Sequence, residues 1–283
     1  MEEKTLKFWG FVLDLIFPPV CLVCRKRLPS NESRPNLSEK ISRSPDGLGS
    51  RRSRDRRGEG KENFAAGTKL FWFSKASLAG ICLYCFQKIK INTATFCPVC
   101  SRRLPNNKKT CHQDSPFILA AAGFYGDKAL DSLIALLKYQ KIKQAAVPLG
   151  EILTRYLIKN LALDIKDFVL VPIPLHWRKE KQRGFNQAHL IADQFAKNTG
   201  LVTAKNILKR MKNTASQVEL KDKEKREINV RGCFAVEKPE LLFQKNVIII
   251  DDVFTTGATM KEAASVIKKA GAKKIIGLVV AKT

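Results

Sequence analysis

"VIIIDDVFTTGATM", residues 247–260, sets four consecutive β-branched residues ahead of two adjacent carboxylates and then a run of hydroxyls around one glycine. An apolar run of this kind, with no polar alternation, reads as a strand buried on both faces. The strand is expected to end at Ile250, which puts Asp251 and Asp252 at its carboxyl end. Thr255, Thr256, Gly257, Ala258 and Thr259 then turn into a helix. Backbone N–H groups freed at a helix start, with hydroxyls and the positive end of the helix dipole, suit one phosphate. Gly257 lets the backbone approach it closely.

Outward from this stretch, apolar runs and helical patterns alternate from Pro116 onward. "FILAAAGFY" reads as a strand, and "ALDSLIALLKY" as a helix whose apolar positions are Leu130, Leu133, Ile134 and Leu137. "AVPLGEILTRYLIKNLAL" is a second helix and "FVLVPIP" a buried strand. "QAHLIADQFAKNTG" is a helix closed by Gly200, "TMKEAASVIKKAG" a helix closed by Gly271, and "KKIIGLVVA" the last strand. Strands apolar throughout, alternating with helices, give an α/β fold: a parallel sheet with helices on both faces. In such sheets ligands sit beyond the carboxyl ends of the strands.

Carboxylates beside a phosphate cradle repel it unless they serve another part of the same ligand. Sugar hydroxyls, which donate hydrogen bonds, and a hydrated Mg²⁺ both suit them. The stretch therefore fits a ribose 5-phosphate group with a metal-bound polyphosphate attached. The metal-binding strand of P-loop nucleotide hydrolases is a rival, but the chain has no G-x-x-x-x-G-K-[ST]. A capped helix explains one carboxylate and leaves the second without a use. Arg178, Lys181 and Arg183 cluster after "FVLVPIP", where they could meet diphosphate; an ordinary basic loop is the plainer alternative. Lys138 ends an amphipathic helix, where a cation also complements the dipole.

The chain has 283 residues, with 51 Lys and Arg against 26 Asp and Glu, for a net charge of +25. Such a surplus points to a polyanionic partner or to a merely basic, solvated surface. No apolar run reaches the roughly 18 residues that span a bilayer. "LKFWGFVLDLIFPPV" (residues 6–20) is interrupted by Asp14 and stopped by two prolines, and reads as a short amphipathic helix rather than a secretory signal. Without such a signal the expected location is cytoplasmic, where thiols stay reduced and paired cysteines bind metal.

Residues 1–115 form the expected N-terminal module and residues 116–283 the α/β domain. Within the module, "CLVCRKRLPSN" from Cys21 and "CPVCSRRLPNN" from Cys97 are near copies, identical at seven of eleven positions. Each supplies half of a tetrahedral Zn²⁺ site. Cys21, Cys24, Cys82 and Cys85 make one candidate Cys₄ site. Cys97, Cys100 and Cys111 make a second, completed by Asp114 or by His112 or else left empty, and a cross-braced pairing of the two near copies is also open. The insert at about residues 30–75, rich in Ser, Arg and Gly, reads as a disordered basic linker. Cys233 reads as a core residue.

Residues 247–260 resemble the phosphoribosyl diphosphate (PRPP) signature of type I phosphoribosyltransferases: apolar strand, two acidic residues, two variable positions and a T-T-G-x-T loop. "VPIPLHWRKEKQRGFNQAHLIA" from Val171, "LLKYQ" around Lys138, "SQVELKDKEKREINVRGCF" from Ser216 and the duplicated cysteine module narrow the resemblance to the ComF/GntX family. It runs from about Leu6 to the end, the insert excepted. It implies that Asp251 and Asp252 hold the ribose hydroxyls, that Thr255 to Thr259 hold the 5′-phosphate, and that Arg178, Lys181, Arg183 and Lys138 contact PRPP. Asp251, Asp252 and Arg183 are then the residues of the transfer step. Gln217, Arg226 and Asn229 match the pattern without an assigned role.

In purine-salvage relatives the first loop position is an Asp that acts near the base; here it is Thr255, which argues against a hypoxanthine-type reaction. The resemblance also implies handling of single-stranded DNA in natural transformation, with a competence helicase and recombination mediators as partners. Two classes of function follow: a Mg²⁺-PRPP-dependent enzyme on an amine or unknown acceptor, and a DNA-uptake adaptor that keeps a PRPP fold.

Overall fold

Val247–Ile250 lies inside a seven-stranded sheet in the computed structural model, which describes residues 20–28, 80–104, 111–112, 114–160, 165, 167–212 and 228–283. The amphipathic segment expected at residues 6–20 lies almost wholly outside the described residues; the basic insert, Gln217 and Arg226 lie entirely outside them. The sheet contains β1 (Thr95–Phe96), β2 (Arg103–Leu104), β3 (Ile118–Phe124), β4 (Phe168–Pro172), β5 (Val202–Thr203), β8 (Asn246–Phe254) and β9 (Lys274–Lys282). Their spatial order is β2-β1-β3-β9-β8-β4-β5. β3, β9, β8, β4 and β5 are mutually parallel, while β1 and β2 add to the β3 edge antiparallel. The sheet is thus mixed, because the strands of the cysteine-rich segment join it through Phe96 opposite Leu119. β6 (Leu208–Arg210) and β7 (Phe234–Val236) form a separate antiparallel pair.

Alternation along β8 divides the core. Ile248 and Ile250 pack in one cluster with α2 (Lys128–Lys138), α3 (Ala146–Lys159) and α5 (Gln187–Thr199), whereas Val247 and Ile249 pack in another with α6 (Ala258–Lys269). All four are essentially inaccessible to water. Burying each contributes about 1.5–3 kcal/mol. α2 forms where its apolar positions predict it: Leu130, Leu133, Ile134 and Leu137 are buried, and Asp127 caps its start by accepting from the N–H groups of Ala129 and Leu130.

Two elements depart from the sequence expectation. β8 does not stop at Ile250 but continues to Phe254, because β9 accompanies it as far as Phe254 opposite Lys282. The segment after β4, expected as a loop, contains a seven-residue helix, α4 (Trp177–Arg183), capped by the His176 ring and closed by Gly184 at φ 86°. Seven residues with four cations have little intrinsic reason to be helical; the two caps and the packing around them decide it.

The cysteine-rich segment, which contains α1 (Leu83–Lys88), is fastened to α3 and β3 by polar contacts. Tyr156 donates to the Ala94 carbonyl at 3.0 Å, Asn160 Nδ2 donates to the Asn92 carbonyl at 3.3 Å, and Asn92 Nδ2 donates to the Ala121 carbonyl at 2.8 Å.

Glu151 on α3 is buried, with Oε2 accepting from Asn198 at 3.1 Å and Oε1 unpartnered among the described residues. Burial pushes its pKa up to about 7 although Arg155 acts in the opposite sense. A carboxyl whose folded pKa exceeds its unfolded value stabilises most below the unfolded pKa and loses that contribution as pH rises through the folded one. Glu151→Gln should therefore leave stability nearly unchanged at pH 5 and raise it at pH 8.5, by up to about 3 kcal/mol. Denaturant titrations at the two pH values check this, and equal effects at both would refute it.

Candidate functional site

At the carboxyl end of β8 the two neighbouring strands part company. β4 pairs with β8 only as far as Pro172 opposite Ile250, while β9 continues. Asp251 and Asp252 therefore have fixed backbones on one side and open space on the other. That space is a cavity of about 400 Å³, lined by both carboxylates, Lys138, Thr255 and Thr259, and by three further cations: Lys179, Arg183 and Arg210. The cavity thus combines an acidic floor, a hydroxyl-bearing turn and a basic wall.

The acidic floor is asymmetric. Asp252 follows the Ile248–Ile250 face toward α2, where Lys138 Nζ lies 2.8 Å from its Oδ1. Asp251 accepts from the Asp252 N–H at 2.9 Å through Oδ1. Burial and the Asp252 carboxylate push the Asp251 pKa up to about 7, against the opposing influence of Lys138 and Arg210.

The hydroxyl-bearing turn is built by Gly257, at φ 78°, which initiates α6 and has no side chain of its own to cap it. Thr256 Oγ1 accepts from the Ala258 N–H at 3.4 Å. The positive end of a twelve-residue helix thus faces the cavity that Thr255 and Thr259 line. The cavity offers carboxylate and hydroxyl oxygens of the kind a hydrated divalent ion takes, but among the described residues no ring of metal ligands of its own.

Of the three cations expected after β4, only Arg183 lines the cavity, with Nη1 donating to Gln187 Oε1. Arg178 lies against the Trp177 ring, 5.2 Å from its centroid, and Lys181 is exposed; neither lines the cavity. The reason is that these residues form a helix. Lys179 and Arg183, four apart, share its cavity face. Lys179 is not among the residues expected from the sequence, where its i,i+4 relation to Arg183 is the available signal. Arg210, on β6, had no local signal, since only the antiparallel β6–β7 pair brings it there.

The two cysteine clusters are assembled. Sγ atoms of Cys21, Cys24, Cys82 and Cys85 lie within 4.8 Å of one another, with Cys24 to Cys82 at 3.7 Å. Four thiolates about 2.3 Å from a tetrahedral metal would sit about 3.8 Å apart. The second cluster joins Cys97, Cys100, Cys111 and His112, whose Nδ1 is 3.4 Å from both Cys97 and Cys111 Sγ. Of the two residues expected to complete this cluster, His112 joins the thiols and Asp114 does not. Asp114 is exposed and lines a neighbouring cavity instead, because His112 directly follows Cys111 and its ring reaches the thiols first. The cross-braced pairing does not occur.

The near-copy sequences fold alike. Cys21 N–H donates to Lys26 O, as Cys97 N–H donates to Arg102 O, and Arg25 and Ser101 at matched positions have φ near 60°. The Lys26 backbone N–H lowers Cys24 to about 7, whereas Cys100 and Cys97 crowd Cys111 up to about 11. Thiols packed this closely cannot all ionise unless a cation joins them, so each cluster can hold a metal ion. Cys233 is buried in the core, as expected.

A second cavity, of about 550 Å³, lies between the cysteine-rich segment and the sheet. Exposed rings of Tyr84, Phe124 and Tyr125 line it with Lys88, Lys90 and Lys128. Lys88 sits 4.3 Å over the Tyr84 ring and Lys282 5.3 Å from the centroid of Phe124. Tyr125 lines both cavities.

Comparison with known proteins gives a consistent picture. Residues 142–283 match the phosphoribosyl transferase domain. Over 206 residues the chain is 29% identical to competence protein F of Haemophilus influenzae, covering 69% of this chain and 87% of that protein. It is 29% identical over 208 residues to competence protein ComFC of Bacillus subtilis, covering 68% and 79%. It is 26% identical over 217 residues to DNA utilization protein YhgH of Salmonella typhimurium, covering 73% and 93%. A solved structure of the allosteric regulatory enzyme of purine biosynthesis aligns over 46% of this chain and 24% of that one, at 18% identity and a TM-score of 0.30.

A Cβ at Gly257 would lie 2.3 Å from Phe254 Cζ, and Phe254 is itself buried. Gly257→Ala should cost about 1–3 kcal/mol through the left-handed backbone and the displaced ring. Chemical denaturation measures this, and an unchanged midpoint would show that the turn is not so constrained.

Proposed function

The chain belongs to the phosphoribosyl transferase domain family and is of the ComF type, and from that premise we propose that it binds Mg²⁺-PRPP and acts on single-stranded DNA during DNA uptake. The observation that carries the PRPP reading is one cavity lined by adjacent carboxylates, a threonine-bearing helix start and a basic wall. Each part answers a different part of the ligand. Asp251 and Asp252 accept from the ribose hydroxyls. Backbone N–H groups and hydroxyls at the start of α6 take the 5′-phosphate. Lys179, Arg183 and Arg210 take the diphosphate, with Arg183 placed by Gln187.

A transfer step, if it occurs, is displacement at the anomeric carbon. Magnesium on the diphosphate would supply charge neutralisation for the leaving group. The chain's own share is to orient the sugar by its hydroxyls, to anchor it at the 5′ end and to stabilise the departing anion. The second reading is an enzyme that uses an amine or nucleobase-like acceptor and has no part in DNA uptake.

Support for DNA comes from the names of the relatives, from the +25 charge and from the ring-and-lysine cavity that meets the carboxylate-bearing cavity at Tyr125. Exposed rings flanked by cations are what single strands stack on. Competence helicase and recombination mediator proteins are the proposed partners, in the cytoplasm. Among the described residues no helix is long and apolar enough to cross a membrane.

Calorimetry with Mg²⁺-PRPP should show binding that Asp252→Ala abolishes and that is roughly tenfold weaker at pH 6 than at pH 8, because Asp251 gains a proton near 7. Labelled single-stranded DNA should bind in a salt-sensitive way. Tyr84→Ala with Tyr125→Ala should weaken that binding, and Asp251→Asn should not. No heat with PRPP removes the phosphoribosyl reading, and no loss of DNA affinity in the tyrosine variant removes the DNA surface.

The cysteine clusters we assign to structural zinc, on the Cys₄ and Cys₃His donor sets. Elemental analysis should find two zinc per chain, with Cys100→Ser and Asp114→Ala separating the ligand sets: the first loses one zinc and the second none. A zinc lost with Asp114→Ala would reinstate Asp114.

A further inference from the structure

Lys138 ends α2 with its ammonium inside the cavity wall rather than on the surface; its side chain is 20% exposed and that of Asp252 only 5%. Burial acts to lower the Lys138 pKa, but the carboxylates of Asp252 and Asp251 outweigh burial and raise it, so the ammonium stays charged. The second Asp252 oxygen, Oδ2, is also buried and has no hydrogen-bond partner among the described residues. A buried acceptor oxygen without a donor is costly, and it points to a ligand group that supplies one.

Paired carboxylates next to phosphates commonly gather two divalent ions, one on each side of the reacting bond. Here one negative charge is already answered by a fixed ammonium. A divalent ion on Asp252 Oδ2 would share one carboxylate with that ammonium and be repelled by it. A neutral hydroxyl satisfies Oδ2 without adding charge.

We propose that Lys138 is the site's resident cation: it occupies the place of a second divalent ion and fixes Asp252 with Oδ2 presented to a sugar hydroxyl. The site therefore works with one divalent ion, carried on the diphosphate. The identity of the sugar rests on the phosphoribosyl reading, but the exchange of ammonium for metal does not. Lys138 is thus a positioning residue that acts through Asp252.

Mn²⁺, counted by electron paramagnetic resonance on the purified full-length protein, tests this. Wild type should bind one Mn²⁺ per PRPP, and without PRPP it should show no Mn²⁺ site that Asp252→Asn removes. Lys138→Met should create such a site in the free protein, roughly tenfold or more tighter than any in wild type. Adding Asp252→Asn should abolish it, and Lys138→Arg should behave as wild type. Two Mn²⁺ per PRPP in wild type, or a folded Lys138→Met with no gained site, overturns the proposal. Should Lys138→Met fail to fold, the wild-type count decides. A wild type that takes up no PRPP defeats the phosphoribosyl reading, and the gain of Mn²⁺ by free Lys138→Met then decides this one.

Discussion

The unequal length of the two neighbours of β8 is the constraint from which the site follows. β9 holds β8 through Phe254, while β4 leaves it after Ile250. The acidic pair is therefore rigid in its backbone yet open to a ligand, a combination that a loop of the same sequence would not supply. Because successive strand residues face opposite ways, adjacency in sequence becomes separation in environment. Asp252 meets Lys138 on the α2 face, and Asp251 sits within the influence of Arg210 from the other.

This separation resolves the apparent conflict between a chain of net charge +25 and an acidic floor at its cavity. Two like charges side by side, both withdrawn from water, would otherwise hold a proton between them. Lys138 takes up one of them, while burial first and the Asp252 carboxylate second keep the Asp251 pKa raised. Besides Lys138 at the end of α2, the cations that line the cavity come from α4, which carries Lys179 and Arg183, and from β6, which carries Arg210. The cysteine clusters obey a similar rule, since their thiols are brought too close to ionise together without a positive charge among them.

The cysteine-rich segment and the α/β region are not independent in structure. β1 extends the sheet, and Tyr156 and Asn160 reach from α3 to the backbone of residues 92–94. Cys21 and Cys85 lie in the same buried cluster as α2 and α3. Metal held by the first cluster would therefore bear on the packing of the helix that ends in Lys138.

The sequence by itself determined the parallel core, the order of its elements, the helix-start turn around Gly257 and the C-x-x-C pairs at Cys21/Cys24, Cys82/Cys85 and Cys97/Cys100, but not how those pairs combine. Each of these rests on local periodicity, on turn chemistry or on a duplicated motif, and such signals survive in a linear string. Only the tertiary structure decided that β8 runs on to Phe254, that β1 and β2 make the sheet mixed, and that His112 rather than Asp114 joins the second cluster. It also decided that Lys179 and Arg210 line the cavity where Arg178 and Lys181 do not, and that Lys138 belongs to Asp252. Strand length depends on the partner strand, and the direction of a cation depends on the helix that carries it. An ion pair between residues 138 and 252 exists only once α2 has packed against the sheet. Those are interactions between distant segments, and no window along the chain contains them.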